Sequence, residues 1–135
     1  MATIESFEDL EIWKKSREIN IFIYKIINRN PMSRDFKLVN QMNGSAGSIM
    51  DNIAEGFERG TKNEFIQFLG YAKGSCEELR SQLYRALDRK YITNEEFEVL
   101  KKMVVNISGL IQNLIKYLQK SMVAGVRKMT EPKEL

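Results

Sequence analysis

The chain has 135 residues, with 21 Lys and Arg against 18 Asp and Glu, a formal net charge of +3, one cysteine and no histidine. That length supports a single domain burying about two-thirds of the surface its unfolded form exposes, without help from a metal or disulfide, and the lone Cys76 excludes an internal disulfide and points to a reducing, cytoplasmic setting. The N-terminus Met1-Ala2-Thr3-Ile4-Glu5 has neither basic flank nor apolar run, and no stretch reaches ~18 uncharged apolar residues, so neither secretion nor membrane spanning is expected.

Four stretches carry apolar residues at steps of three and four, apart from one full heptad between Ile12 and Ile19. In chain order they are Ile12-Ile19-Ile23-Ile26, Val39-Met42-Ala46-Ile49-Ile53, Phe65-Leu69-Ala72-Cys76-Leu79-Leu83-Ala86 and Phe97-Leu100-Val104-Ile107-Ile111-Leu114-Leu118. Such spacing holds one seam of each helix against its neighbours. Cap chemistry marks the starts. Ser6 with Asp9, Ser33 after Asn30-Pro31, Thr61 with Glu64 and Thr93 with Glu96 each place a hydroxyl at a first turn, three of them with an acid that can return the bond. The predicted helices run over 7–29, 34–58, 62–89 and 94–124. Connections this short make sequential helices antiparallel neighbours, so the fold class is all-α, an antiparallel up-down-up-down four-helix bundle. The domain spans 1–128, with Gly125 as a C-cap, and 129–135 is a mobile C-terminal tail.

Two features exceed the needs of a monomeric bundle. Gly44, Gly47, Gly70 and Gly74 lie inside helices 2 and 3, each costing about 1 kcal/mol of helix propensity relative to alanine, which the close approach of a partner helix would repay. Phe22, Tyr24, Phe57, Phe68, Tyr71 and Tyr84 lie off the seams, an excess of apolar surface that another subunit normally covers.

Histidine's absence removes an imidazole base, a His-assisted nucleophile and a His metal ligand. Asp51, Glu55 and Glu58 share one face of helix 2, but oxygen sites for hard cations draw ligands from several segments, and a solvated acidic face is the plainer reading. Gly44-Ser45-Ala46-Gly47-Ser48 sits within a helix with no following lysine, so it is not a phosphate loop. No catalytic residue, metal site, cofactor or small-molecule substrate is therefore expected.

Polar residues border the seams. Gln41, Ser45, Ser48, Asn52, Glu55 and Arg59 recur along helix 2, and Gln67, Tyr71, Gly74, Glu78, Ser81 and Arg85 along helix 3. One reading is local glue between helices. The other is a network at a subunit interface, carried by Gln41, Ser48, Asn52, Glu55, Tyr71 and Glu78.

Ser48-Ile49 followed by Asn52-Ile53-Ala54-Glu55-Gly56, then Glu64-Phe65-x-x-Phe68-Leu69 and Gly74-Ser75-x-x-Glu78-Leu79, resembles the bacterial four-helix bundle family whose founding members are encoded in intervening sequences of large-subunit ribosomal RNA genes. The opening Phe7-x-Asp9-Leu10-x-Ile12-Trp13-Lys14 and the Tyr91-Ile92-Thr93 turn match as well, so the similarity covers Phe7 to Leu118. The resemblance implies a homopentameric ring without known catalytic activity. Its relatives include the accessory protein of diversity-generating retroelements, a basic pentamer that binds nucleic acid and reverse transcriptase. The family commonly has a basic pair after the glutamine of its second helix. Here Asn43-Gly44 follow Gln41-Met42, which weakens the case for nucleic-acid binding through that face.

Charge is unevenly spread. Between Val99 and Thr130 stand Lys101, Lys102, Lys116, Lys120, Arg127 and Lys128 with no acid. Lys102, Lys116 and Lys120 fall on one outer stripe of helix 4, which Arg127 and Lys128 extend, and these five are the candidate contacts to RNA or single-stranded DNA. Symmetry in a ring multiplies such a stripe. The alternative is a protein-interaction scaffold in which the lysines only complement the helix C-terminal dipole.

Overall fold

The structure, a computed structural model, describes residues 3–122, 125–126 and 129–132. Four helices, α1 (Glu11–Ile27), α2 (Phe36–Glu58), α3 (Lys62–Asp88) and α4 (Asn94–Lys120), pack in chain order, and α1 also touches α4. The four therefore form a closed square in which α1 lies diagonally across from α3, and α2 from α4. This is the expected up-down-up-down bundle. Its core is the set of seams read from the sequence: Ile12, Ile19, Ile23 and Ile26 are buried with Met42, Ile49, Ile53, Phe65, Leu79, Leu100, Ile107 and Leu114. Leu38, not Val39, supplies the first buried layer of α2, and Val39 is half-buried beside it.

Two of the expected caps form as read. The Thr93 hydroxyl accepts from the Glu96 N–H while the Glu96 carboxylate accepts from the Thr93 N–H, both at 3.0 Å. Thr61 accepts from the Glu64 N–H at 3.3 Å. Two others are displaced. The Asp9 carboxylate does accept from the Ser6 N–H, but it closes only a single 3₁₀ turn, Phe7–Asp9, and extended Leu10 separates that turn from α1. Ser33 falls in another 3₁₀ turn, Met32–Arg34, where its hydroxyl donates to Asn30. Asp35 caps α2 instead, accepting from the Leu38 N–H. It is held there by Arg89 at 2.7 Å and the Tyr91 hydroxyl at 2.9 Å, both from the α3–α4 connection. At the same end of the bundle the Arg29 guanidinium grips both Glu96 oxygens, at 2.6 and 3.0 Å, and lowers that carboxyl to about 2.

The far end is closed by the chain after α4. Helix α4 stops at Lys120, short of the predicted 124, where Ser121 turns extended and its carbonyl accepts from the Lys62 ammonium at 2.8 Å. Gly125 is not the C-cap; it pairs with Thr61 in an isolated antiparallel bridge, and the Val126 N–H donates to the Gly60 carbonyl. Val126 and Met129 are buried. Where the sequence predicts a mobile tail beginning at 129, the Met129 carbonyl accepts from the Ile4 N–H at 2.8 Å. The Glu131 carboxylate takes the first N–H groups of α1, from Glu11 at 2.7 Å and Ile12 at 3.2 Å. The physical reason is complementary need: α1 begins after Leu10, which has no capping side chain, and a carboxylate at a helix N-terminus satisfies orphan donors. The rest of the predicted tail, 133–135, lies outside the described residues.

Candidate oligomer and nucleic-acid surfaces

The seam of α4 turns the residues between its apolar positions outward. Lys102, Lys116 and Lys120 are all exposed, with Asn106 exposed and Asn113 half-buried on the same line. None of the three makes an ion pair among the described residues. Lys101 differs: its ammonium lies 5.6 Å from the Tyr84 ring and 5.8 Å from Phe97, so its charge is turned toward α3. Arg127 and Lys128 lie outside the described residues. Beside Lys102 the surface is apolar, with exposed Val99 and Val105 and shallow depressions of about 400 and 320 Å³ that also take in Met103 and Asn106.

The polar stripes meet where α2 packs on α3. Arg85 donates to Gln41 at 2.8 Å and Ser75 to Ser48 at 2.9 Å, while Asn52 donates to the hydroxyl and carbonyl of Ser48. Glu55 pairs with Arg59 at 3.0 Å, and Gln67 donates to the Tyr71 hydroxyl at 2.8 Å. Gln41, Ser48 and Asn52 thus sit in one line of bonds joining or bordering the two helices, whereas Glu55 and Tyr71 bond within their own helices. Glu78 is exposed and makes no ion pair among the described residues. Along this line runs a groove of about 350 Å³ with Asn40, Gln41, Gly44 and Glu78 at its sides and Ser45, Ser75 and Gln82 buried in it. Only 9% of Gln82 is exposed, and its Oε1 has no hydrogen-bond partner. Sequence reading passed over Gln82, whose place among the apolar seam residues was the available signal.

The glycines divide into two kinds. A Cβ at Gly44, Gly47, Gly70 or Gly74 would meet nothing within 4 Å, so packing within this chain does not require any of them. Gly56, which the sequence reading did not single out as a packing position, is the one pressed against a neighbour: a Cβ there would lie 2.5 Å from the Phe68 Cβ. The off-seam aromatics divide as well. Phe57 is fully buried, edge-on to Phe65 at 5.7 Å, so it belongs to the core rather than to surplus surface. Phe22 and Phe68 are half-buried, while Tyr24, Tyr71 and Tyr84 remain exposed.

Among the described residues no three His, Cys, Asp or Glu side chains converge as a metal site would require, and no helix is long and apolar enough to cross a membrane. Burial pushes the Cys76 thiol up to about 12, which leaves it protonated and unreactive at neutral pH.

A family model described as 23S rRNA-intervening sequence protein matches residues 8–113. Among solved structures the chain is similar to a protein of unknown function from the S23 ribosomal protein family of Bacteroides thetaiotaomicron. The two share 27% identity and a TM-score of 0.71, covering 78% of this chain and 98% of that one. No curated protein matches.

Proposed function

Starting from the fact that the chain belongs to the 23S rRNA-intervening sequence protein family, we propose that it is a non-enzymatic homo-oligomer, a pentamer of four-helix bundles, that binds RNA, single-stranded DNA or a ribonucleoprotein in the cytoplasm. The observation that carries this reading is the row of Lys102, Lys116 and Lys120 on the outer line of α4, exposed and without carboxylate partners among the described residues. At about 1.5 Å rise per residue the row runs for about 27 Å, and several copies in one ring turn weak attraction to phosphate into binding. Arg127 and Lys128 extend the row in sequence. Support for assembly comes from exposed Tyr24, Tyr71 and Ile21, and from helix glycines that packing within the chain does not require.

A second reading has one observation in its favour. Val99 and Val105 flank Lys102 with apolar depressions, a mixture better suited to a protein surface than to a phosphate backbone. On that scaffold reading the lysines only solubilise the face. Light scattering on the full chain tests assembly, a monomer near 15.7 kDa at micromolar concentration being the contrary result. Titration of labelled single-stranded RNA separates the two ligand classes.

A further inference from the structure

Phe36 is the most exposed aromatic side chain among the described residues, at 73%, and makes no ring contact with them. It opens α2 at the end of the bundle where the α1–α2 and α3–α4 connections meet. Asp35 ties those connections together, its Oδ2 accepting from Arg89 at 2.7 Å and from the Tyr91 hydroxyl at 2.9 Å. One patch results: Arg34 and Lys37 stand on either side of Asp35 and Phe36, and Lys90 lies between Arg89 and Tyr91. All three cations are exposed, and none makes an ion pair among the described residues.

Lys90 also has an unusual backbone. It follows the Arg89 C-cap with φ 61°, in the left-handed region, while the Tyr91 N–H returns to the Ala86 carbonyl at 2.9 Å. Glycine takes that position freely and a residue with a Cβ is strained in it. No ion pair within the fold repays the strain, so its use points outward. Four acids share this end of the bundle. Arg89 and Tyr91 engage Asp35 and Arg29 engages Glu96, which leaves exposed Asp88 and Glu95 against Arg34, Lys37 and Lys90. The patch is therefore only mildly positive, and its ring has to supply much of any binding. An exposed ring bordered by unpaired cations suits a stacked base between phosphates. A protein contact would gather further apolar side chains, whereas the exposed neighbours of Phe36 along α2 are Lys37 and Asn40. The helix N-terminus itself is not used, since Asp35 already caps it.

We propose that this end of the bundle is a second nucleic-acid site, in which a base of a single strand stacks on Phe36 while Arg34, Lys37 and Lys90 meet the flanking phosphates. Neither a ring face nor a cation reads the sugar, so RNA and single-stranded DNA of one sequence bind it alike. The site rests on the reading of the protein as a nucleic-acid binder and is separate from the α4 lysines, because α2 is diagonal to α4.

Titration of the full chain into short labelled RNA and DNA oligonucleotides tests it. Phe36→Ala should weaken binding about five- to tenfold with the salt slope unchanged, since stacking releases no counterions. Phe36→Trp should bind at least as well as wild type, and its emission beyond that of Trp13 should be quenched by the oligonucleotide. Arg34→Gln, Lys37→Gln and Lys90→Gly should each lower the salt slope by roughly 0.7–1 unit, and Lys90→Gly should do so while raising the melting temperature. If wild type binds and Phe36→Ala binds equally well, or the added indole is not quenched, the site is not there and the α4 reading stands without it. If Phe36→Ala instead lowers the mass in sedimentation equilibrium, the ring serves assembly and the stacking site is overturned. No binding by wild type at ~50 mM salt overturns the nucleic-acid reading and this site with it.

Discussion

Gly56 on α2 faces Phe68 on α3 with no room for a methyl group: a Cβ at position 56 would come within 2.5 Å of the Phe68 Cβ and 3.2 Å of the Phe65 ring. This contact limits how closely α2 and α3 meet near the Gly60 turn. It also places Phe57 and Phe65 edge to face in the core beside it.

Gly56→Ala should therefore destabilise the protein by about 1–3 kcal/mol, the usual cost of forcing a methyl group into a filled site, despite alanine's better helix propensity. Gly70→Ala, where the same atom meets nothing within 4 Å, should leave the fold as stable or raise its stability by up to about 1 kcal/mol. Urea unfolding of the two variants checks the pair. Equal effects at both positions would mean that the Gly56 contact is not as tight as described.

Acid should weaken the α1–α4 connection at the loop end. Glu96 lies at about 2 against an ordinary 4.5, chiefly through the Arg29 hydrogen bonds, so its contribution is complete above 4.5 and is lost as pH falls toward 2. Asp35 is shifted in the same direction by Tyr91 and Arg89. Burial raises Glu131, whose effect therefore has the opposite sign, favouring the folded state as it takes up a proton. Melting temperature measured from pH 6 down to 3 should fall for wild type, and Glu96→Gln should flatten part of that slope. An unchanged slope would remove Arg29–Glu96 as its source.

The segment after α4 is expected to contribute to stability through α1. Glu131→Ala strips the carboxylate from the Glu11 and Ile12 N–H groups and should cost about 1 kcal/mol, comparable to losing an N-cap. Glu131→Gln, which keeps an acceptor oxygen without the buried charge, should retain most of the cap. Hydrogen exchange at the first turn of α1 reads the same change locally, and protection identical in the alanine variant would contradict the cap.

How far the sequence went follows from the range of each interaction. The four seams and the Thr61 and Thr93 caps depend on residues three or four apart, and they are where the periodicity puts them. The sequence alone favours Ser33 as the cap of α2, whereas Asp35 takes that place with the support of Arg89 and Tyr91, more than fifty positions away. The docking of Glu131 on α1 spans 120 positions and leaves no local pattern. Gly56 was legible only as part of a family motif, since its reason is the Phe68 side chain of the next helix. On the candidate surfaces, helical periodicity was enough to put Lys102, Lys116 and Lys120 on one exposed line. Which polar residues link α2 to α3, and which stay within one helix, needed the packing angle of the pair.

The most direct test is a titration of labelled single-stranded RNA with the full chain across salt concentrations, alongside Lys102→Gln, Lys116→Gln, Lys120→Gln, Arg127→Gln and Lys128→Gln singly and together. The proposal predicts binding at ~50 mM salt that falls steeply as salt rises, with each replacement lowering the salt slope by about one unit and changing sequence preference little. Stability should move by less than about 0.5 kcal/mol for the exposed α4 lysines. No binding at ~50 mM salt, or binding unchanged when all five are replaced, would contradict nucleic-acid binding through α4 and leave the protein-interaction scaffold in its place.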